Sequence, residues 1–183
     1  MEDNEIYLEN GNLVIRNATA GDAQTLCNWW NDGKVMAHAG FPNGIGTTVQ
    51  DILDRLQTDT DSNRRLILEI DGVPVGEMNY RTVVDNVAEI GIKICDFNQQ
   101  EKGSGTTFLT VLISFLFMEM GYHKINLDTN VKNTRAQHVY EKIGFRKIAV
   151  HIDSWKNQLG ELQSSIDYEL TKEEFVKTLQ QDK

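Results

Sequence analysis

The sequence predicts a single mixed α/β domain, in which one mostly antiparallel sheet carries helices on both faces. Its 183 residues are 40% apolar with only two prolines, which is enough for one sizeable core. Hydrophobic periods of two and of about 3.6 residues alternate in the order β-α-α-β-β-β-α-β-α-β-β. One crossover, between residues 88 and 131, must be right-handed and makes its two strands parallel. We therefore expect one domain over residues 1–183, with its core at 12–171 and a C-terminal helix at 171–181.

In the first half of the chain, short strands alternate with amphipathic helices. The predicted elements are a strand at 12–16, a helix opened by Thr19, a glycine-rich loop at 39–47, a helix at 49–56 and strands at 65–70 and 73–80. Between the last two strands, Asp71-Gly72 is the two-residue signature of a hairpin turn that needs positive φ. The loop at 39–47 is predicted to be flexible, and a mobile loop often closes over a ligand.

The second half continues the meander and contains one helix that is apolar nearly all the way round. Its predicted elements are strands at 88–95, 125–131, 146–155 and 165–170, and helices at 108–120, at 136–143 and after Thr171. Gly144 is placed to end the second of these helices as a left-handed cap. The helix at 108–120 must be covered on several sides, because it has no polar face.

The overall charge narrows the class of partner. Eighteen Lys and Arg against 27 Asp and Glu give a net charge of −9. This charge repels phosphate backbones and anionic membranes, so we expect neither nucleic acid nor a membrane surface as a partner. Cationic small molecules are favoured instead. The most apolar stretch, at 108–117, is about half of the roughly 20 residues that a membrane span needs.

Cysteine and histidine usage indicates neither a disulfide framework nor a metal centre. Cys27 and Cys95 lie 68 positions apart without a CxxC partner. The four histidines show no HExxH or other metal spacing, so no metal is expected. The first ten residues are acidic where a signal peptide would be basic. These observations predict a reduced, cytoplasmic compartment.

The most informative stretch runs from Ile90 to Thr107, where a strand passes through a short polar loop into the apolar helix. Gly103 and Gly105 remove side chains where the first N–H groups of that helix point outward, and such groups bind phosphate. Lys102 and Thr106 add a charge and a hydroxyl. Walker and dinucleotide-binding loops both need residues that this stretch lacks. The remaining alternative is that the glycines only ease a tight connection.

A second segment, at 130–145, leads from a strand end into a short helix. Asn133 and Tyr140 are seven residues apart, so they lie on the same helix face. A phenol there can donate a proton to a leaving thiolate, and an asparagine can bind amide groups of an extended ligand. Tyr140 also fits an apolar stripe with Ala136, Val139 and Ile143, so a purely structural role in the core is the alternative.

Together the two segments resemble the GNAT superfamily of acyl-CoA-dependent N-acetyltransferases. In QQEKGSG, the residues Gln100, Gly103 and Gly105 match that superfamily's Gln/Arg-x-x-Gly-x-Gly/Ala loop. In NTRAQHVYEKIGF, the matching residues are Asn133, Tyr140, Gly144 and Phe145. The spacing of 28 residues between Gly105 and Asn133 also suits it. The resemblance implies a GNAT-like fold with two parallel strands that splay apart.

The resemblance also implies where acetyl-CoA binds, as co-substrate and without a metal. The pyrophosphate would lie on the backbone at 100–106, and the pantetheine arm would run along 94–97 as an added strand. Phe97 stands where many members have proline. The implied cofactor-binding residues are Ile94, Cys95, Phe97, Gln100, Glu101, Lys102, Gly103, Ser104, Gly105, Thr106, Asn133 and Tyr140.

In the implied reaction, a primary amine attacks the thioester directly in a ternary complex. Tyr140 is the candidate acid for the CoA thiolate, and backbone donors near Cys95 would polarise the acetyl oxygen. A carboxylate must remove the amine proton. Glu89 is the first candidate base and Asp128 the second. Glu89 has a structural alternative, because it would face water or a helix if Ile90, Ile92 and Ile94 face the core.

The acceptor is inferred from the first helix and from charge. Trp29-Trp30-Asn31-Asp32 resembles the acceptor side of bacterial aminoglycoside 6′-type and ribosomal-protein N-terminal acetyltransferases. Trp29 is therefore a candidate substrate-binding residue, although tryptophans on this helix are more often core anchors. Glu77 is a second candidate, because with Glu89 and Asp128 around one cleft it would favour a polycationic acceptor such as an aminoglycoside or a polyamine. We expect a small-molecule amine or a peptide N-terminus as acceptor, and a homodimer as one compatible assembly. Alternatives are a protein N-terminal acetyltransferase, a non-catalytic acyl-CoA sensor, or an interaction module that uses the Trp-rich helix.

Overall fold

The computed structural model describes residues 5–100 and 102–181, which form one eight-stranded sheet with helices packed on it. The strands are β1 Tyr7–Asn10, β2 Leu13–Asn17, β3 Asn63–Ile70, β4 Val73–Val84, β5 Val87–Ile94, β6 Lys124–Asn130, β7 Arg146–Lys156 and β8 Leu162–Thr171. The helices are α1 Ala23–Asn31, α2 Gly33–Met36, α3 Val49–Leu56, α4 Ser104–Met118, α5 Thr134–Ile143 and α6 Lys172–Gln181. The spatial order of the strands is β1-β2-β3-β4-β5-β6-β8-β7. All neighbours are antiparallel except β5 and β6.

The predicted fold class is confirmed. The turn and helix ends that short stretches of sequence specify also lie where the sequence predicts them. Asp71 and Gly72 have φ of 52° and 75°, as the predicted hairpin turn requires. Thr48 and Asp51 form a capping box at the start of α3. Gly144, with φ of 111°, ends α5 as a left-handed cap.

Two elements lie outside the predicted series. β1 is a short, largely exposed strand whose polar residues give no alternating pattern, and it is held by pairing with β2. α2 has only four residues and begins at a glycine, so neither its length nor its composition indicates a helix. The sheet therefore begins at Tyr7, before the predicted strand at 12–16.

The two faces of the sheet bury separate clusters. Leu66 and Leu68 of β3 join the larger core, which contains the apolar residues of α4 and Phe175 of α6. Ile67, between them, points to the opposite face and packs with residues of α1 and α3. Helices therefore cover both faces, as predicted. Because α4 is apolar nearly all round, it needs the several neighbours that this larger core supplies.

The loop predicted to be flexible is tied down on both sides. Gln158, between β7 and β8, accepts a hydrogen bond from the N–H of Asn43 (2.9 Å) and donates one to the carbonyl of Gly44 (3.0 Å). On the other side, the N–H of Ile45 donates to the carbonyl of Trp30 (2.8 Å). These long-range contacts arise from a hairpin more than 100 residues further along the chain, so the local composition gives no sign of them.

None of the described helices is long and apolar enough to cross a membrane. Within the described ranges, no group of three or more His, Cys, Asp or Glu side chains is arranged to hold a metal ion. Cys27 and Cys95 are both free thiols and both buried.

Candidate active site

The parallel pair β5–β6 opens into a cleft. Its strands pair only from Val87 with Lys124 to Glu89 with Asn126 and then diverge. The cleft has a volume of about 1120 Å³. Most of the predicted site residues line it: Glu89, Ile94, Phe97, Gln100, Gly103, Ser104, Gly105, Thr106, Asp128, Asn133 and Tyr140. The structure thus brings together both sequence segments that suggested a site.

Four other predicted site residues do not line this cleft. Trp29 packs against the cluster under α1, and Lys102 is exposed to solvent. Glu77 and Cys95 are buried. Glu101, also predicted to contact the cofactor, lies outside the described residues.

The first turn of α4 presents backbone N–H groups to the cleft. Gly103 precedes the helix with φ of 82°, a left-handed conformation that favours glycine. The N–H groups of Ser104, Gly105 and Thr106 have no partner within an α-helix that starts at Ser104. Among the described residues, no carbonyl or side chain accepts from them. These three amides are the available donors at this end of the cleft.

Gln100 spans the mouth of the cleft and is not a free backbone donor. Its N–H donates to the carbonyl of Phe97 (3.3 Å). Its side-chain Nε2 donates to the carbonyl of Ile94 (2.9 Å), and its Oε1 accepts from Arg135 Nη1 at the start of α5. The free backbone donors predicted at 100–106 therefore do not include Gln100. Its side chain instead links β5, through Ile94, to α5, through Arg135.

The backbone edge that faces the cleft lies on β5, a few residues before the predicted stretch at 94–97. The N–H groups of Cys95 and Asp96 both donate to the carbonyl of Val75, at 2.8 and 2.9 Å. They are therefore not free to polarise an acetyl oxygen. Because alternate residues of a strand present their backbone groups to opposite neighbours, those of Ile90, Ile92 and Ile94 point into the gap left by β6. The free edge is thus 90–94 rather than 94–97, except that the carbonyl of Ile94 already accepts from Gln100 Nε2.

Tyr140 serves both the core and the cleft. Its ring packs edge-on against Phe145 and Tyr168, with centroid distances of 6.0 and 5.7 Å. It also lines the cleft. Burial, and then the negative charge of Asp128, raise the pKa of Tyr140 well above its usual value. Like an ordinary tyrosine, the side chain is a protonated phenol at neutral pH, and its raised pKa makes it a weaker acid than an ordinary tyrosine.

The two candidate bases differ in their surroundings. Glu89 forms an ion pair with Arg81, with Oε1 2.7 Å from Nη2. Asp128 lines the same cleft, and among the described residues it forms no ion pair. The Asp128 residue is exposed at the cleft wall, but partial loss of water around its carboxylate, followed by the charges of Glu89 and Asp167, raises the pKa of Asp128 above its usual value. The raised pKa makes Asp128 a better proton acceptor than an ordinary aspartate.

Glu77 is the centre of a buried charge cluster rather than a wall of the cleft. Only 2% of it is exposed. Its carboxylate accepts from Arg65 Nη1 (2.6 Å) and Trp30 Nε1 (2.8 Å), and Lys93 Nζ lies 3.5 Å away. Burial opposes ionisation, but Arg65, Lys93 and Trp30 outweigh it and lower the pKa of Glu77. Its predicted substrate contact is therefore replaced by a structural role.

Sequence reasoning missed several residues of the cleft, among them Trp155 and His38. Trp155 of β7 packs over Gly40, where an added Cβ would lie 2.5 Å from its ring. His38 follows α2, and burial together with Arg135 lowers its pKa. Both arrive from distant parts of the chain, and no local pattern could have placed them there.

Fold and cleft together define a class: acyltransferases that hold an acyl-CoA between two splayed strands. Comparison with known proteins identifies the family. The model of the acetyltransferase (GNAT) domain family matches residues 12–146, which is well over half of the chain. The chain belongs to the GNAT acetyltransferase family. This confirms the predicted class, an acetyl-CoA-dependent N-acetyltransferase.

Individual relatives support the same family. Spermidine N(1)-acetyltransferase of Vibrio cholerae is 27% identical over 143 residues, which cover 74% of this chain and 80% of the relative. The structure of spermidine N-acetyltransferase from Vibrio cholerae in complex with CoA and spermine has a TM-score of 0.80 at 21% identity, covering 91% and 99%. A GNAT-family acetyltransferase from Bacillus anthracis has a TM-score of 0.77 at 22% identity, covering 92% and 100%. Both organisms are bacteria.

Proposed function

We propose that this protein transfers an acetyl group from acetyl-CoA to a primary amine, which attacks the thioester directly in a ternary complex. One observation carries the proposal. A single cleft is lined by Ser104, Gly105 and Thr106, whose amides have no hydrogen-bond acceptor among the described residues, and also by Asp128 and Tyr140. Amides at a helix N-terminus suit a pyrophosphate, and a carboxylate near a phenol suits two proton transfers.

The cleft offers a continuous binding surface for an acyl-CoA. The α4 amides would bind the pyrophosphate, and the free edge of β5 at 90–94 would bind the pantetheine amides as an added strand. A Cβ added to Gly105 would lie 3.9 Å from Ile94 Cγ1, and both residues line the cleft. The glycine therefore keeps the path between loop and strand open.

Asp128 and Tyr140 suit the two proton transfers that acetyl transfer needs. Asp128 would accept the proton of the incoming ammonium, which is mostly protonated at neutral pH. Tyr140 would donate its proton to the departing thiolate, and backbone N–H groups on the β5 edge would polarise the acetyl oxygen. Holding both reactants in one geometry supplies much of the acceleration.

We further propose a cationic amine, such as a polyamine, as the acceptor. Glu89 and Asp167 both lie close enough to raise the pKa of Asp128. Glu89 and Asp128 line the cleft, and two carboxylates there favour a positively charged guest. The net charge of −9 acts in the same direction. Spermidine, named for the Vibrio cholerae relative, is an acceptor of this kind.

The direct test follows free thiol while the protein is mixed with acetyl-CoA and a panel of amines. The panel should include spermidine, an aminoglycoside, a monoamine and a short peptide with a free N-terminus. We expect turnover with the polyamine to exceed that with the neutral peptide. CoA binding by calorimetry without turnover of any amine would favour the non-catalytic sensor, and absence of CoA binding would refute the proposal.

Gly105→Val should weaken CoA binding without unfolding the chain. The added side chain would enter the space between the α4 loop and Ile94, where contacts are at ordinary distance. We expect at least a tenfold rise in Kd, about 1.4 kcal/mol, by calorimetry. Gly121→Ala is a suitable control, because a Cβ there meets nothing within 4 Å and its φ of 80° imposes only backbone strain. Unchanged affinity in Gly105→Val would exclude this path for the cofactor.

Tyr140→Phe should slow turnover by about 10²-fold and leave CoA affinity nearly unchanged. The variant keeps the ring that packs against Phe145 and Tyr168, and it removes only the hydroxyl. The effect stays at the low end of the usual range because a thiolate is a weakly basic leaving group. Steady-state kinetics measure it. A variant with the rate of the original protein would leave Tyr140 with its packing role alone.

A further inference from the structure

The face of the sheet opposite α4 has a gap in its side chains where β4 pairs with β5. Met78, Tyr80 and Ile90 join the core that contains α4, so the residues between them point to the other face. On that face, three successive cross-strand pairs are Arg81–Glu89, Asn79–Gly91 and Glu77–Lys93. The outer two are ion pairs, with N–O distances of 2.7 and 3.5 Å. The middle pair has a neutral amide on one strand and no side chain on the other.

The position of the Asn79 side chain requires a glycine at position 91. A Cβ added to Gly91 would lie 2.7 Å from Asn79 Oδ1, which is closer than real Cβ contacts. Both residues line the cleft. Among the described residues, the Asn79 amide has no hydrogen-bond partner, although ion pairs lie on both sides of it. The space above Gly91, called the Gly91 notch below, therefore has an unpaired amide oxygen at its side.

The parallel register places Asp128 on the other side of the Gly91 notch. Glu89 is the last residue of β5 that pairs with β6, and its partner is Asn126. Two residues further along, Gly91 and Asp128 occupy equivalent positions on the two diverging strands, and both line the cleft. Because alternate residues of a strand share a face, Asp128 lies on the same face of the sheet as Asn79. The notch thus lies between an amide and a carboxylate.

We propose that the Gly91 notch holds the reacting nitrogen of the acceptor, and that Asn79 is a substrate-binding residue whose Oδ1 accepts one of its N–H groups. The inference rests on the proposed function, since it places the amine beside the candidate base. A primary ammonium has three N–H donors, and Asp128 takes only the proton that is removed. The amide oxygen of Asn79 binds a second N–H but cannot take its proton. It therefore fixes the direction of the nitrogen lone pair toward the β5 edge, where the thioester is expected.

Calorimetric titration of spermidine into the CoA-loaded protein tests this inference without turnover. Asn79→Ala should weaken spermidine binding about 10- to 100-fold, because it removes a hydrogen bond to a charged group, and should leave CoA affinity unchanged. Asn79→Asp keeps an oxygen acceptor in place and should bind spermidine at least as tightly as the original protein. Asn10→Ala is the matched control, because Asn10 is an exposed asparagine of β1 that does not line the cleft. Melting curves verify that each variant is folded.

Gly91→Ala tests the same notch by a second route. The added Cβ would displace the flexible end of Asn79, so this variant should lose spermidine affinity to about the same extent as Asn79→Ala. The double variant should bind no more weakly than either single variant, because both changes remove the same hydrogen bond.

The outcomes separate this inference from the proposed function. Unchanged spermidine affinity in Asn79→Ala overturns the inference, and the proposed function stands if the original protein still acetylates the amine. Weakened binding in Asn79→Ala supports the inference even if the original protein shows no turnover, a result that would refute acetyl transfer alone. An original protein that binds no spermidine overturns the inference whatever its affinity for CoA.

Discussion

Asp128→Asn is expected to lower kcat by about 10³-fold while the Kd for CoA stays within a factor of two or so, because general-base catalysis contributes about 10² to 10⁴-fold. The amide keeps the size of the side chain but cannot accept the ammonium proton. The loss should exceed that of Tyr140→Phe, since the amine must be deprotonated before it attacks, whereas the thiolate leaves readily. Stopped-flow or steady-state release of thiol measures kcat, and calorimetry measures CoA affinity.

Glu89→Gln is the control that separates the two candidate bases. Glu89 is ion-paired with Arg81, and its charge helps to raise the pKa of Asp128. If Asp128 is the base, removing that charge lowers the pKa of Asp128 and leaves turnover near neutral pH largely intact. If Glu89 is the base, turnover collapses in Glu89→Gln and survives in Asp128→Asn. The two variants therefore give opposite results under the two assignments.

The pH profile offers a further check with a defined sign. The base works only when ionised, so kcat/KM should fall as pH drops through the pKa of Asp128. That pKa is raised above the usual 3.8, so the fall should occur at higher pH than for an ordinary aspartate. In Glu89→Gln, the fall of kcat/KM at acidic pH should move to lower pH, because the charge that helps to raise the pKa of Asp128 is gone. If the pH of this fall did not change in the variant, Asp128 would not be the titrating group.

Features that are encoded locally could be predicted from the sequence. The hairpin at Asp71-Gly72 and the cap at Gly144 each depend on a few neighbouring residues, and the crossover into β6 follows from the order of strand, helix and strand. The glycine loop before α4 could be predicted for the same reason. Gly103 needs its left-handed conformation whatever the rest of the chain does. Features of this kind account for the fold class and for the α4 loop that lines the cleft.

Features that depend on what packs over a residue could not be predicted. Glu77 lies on a strand beside the site, and only the docking of Trp30 from α1 turns it into a buried acceptor. The carbonyl of Val75 takes the N–H groups of both Cys95 and Asp96, and no local pattern indicates it. Trp155 and His38 reach the cleft through long-range packing of the same kind. The identity of the acceptor was for this reason the least constrained inference from the sequence.

Glu77→Ala is expected to lower the free energy of unfolding by about 3 kcal/mol, because it leaves partly buried cations and the Trp30 N–H without their acceptor. For a domain of this size, the melting temperature should fall by about 6–12 °C. Scanning calorimetry or thermal unfolding followed by circular dichroism measures it. Glu89→Gln is the matched control, since an exposed ion pair contributes at most about 1 kcal/mol.

Acidification should reproduce part of this loss. The pKa of Glu77 is lower in the folded chain than its usual 4.5, so the folded state releases this proton more readily than the unfolded state. The stability from this group is therefore fully present above about pH 4.5 and is lost as pH falls through the lowered pKa. Glu77→Gln, which can still accept from Trp30, should lack this dependence and lose less stability than Glu77→Ala. If all three proteins melted alike at pH 7, the cluster around Glu77 would not hold α1 against the sheet.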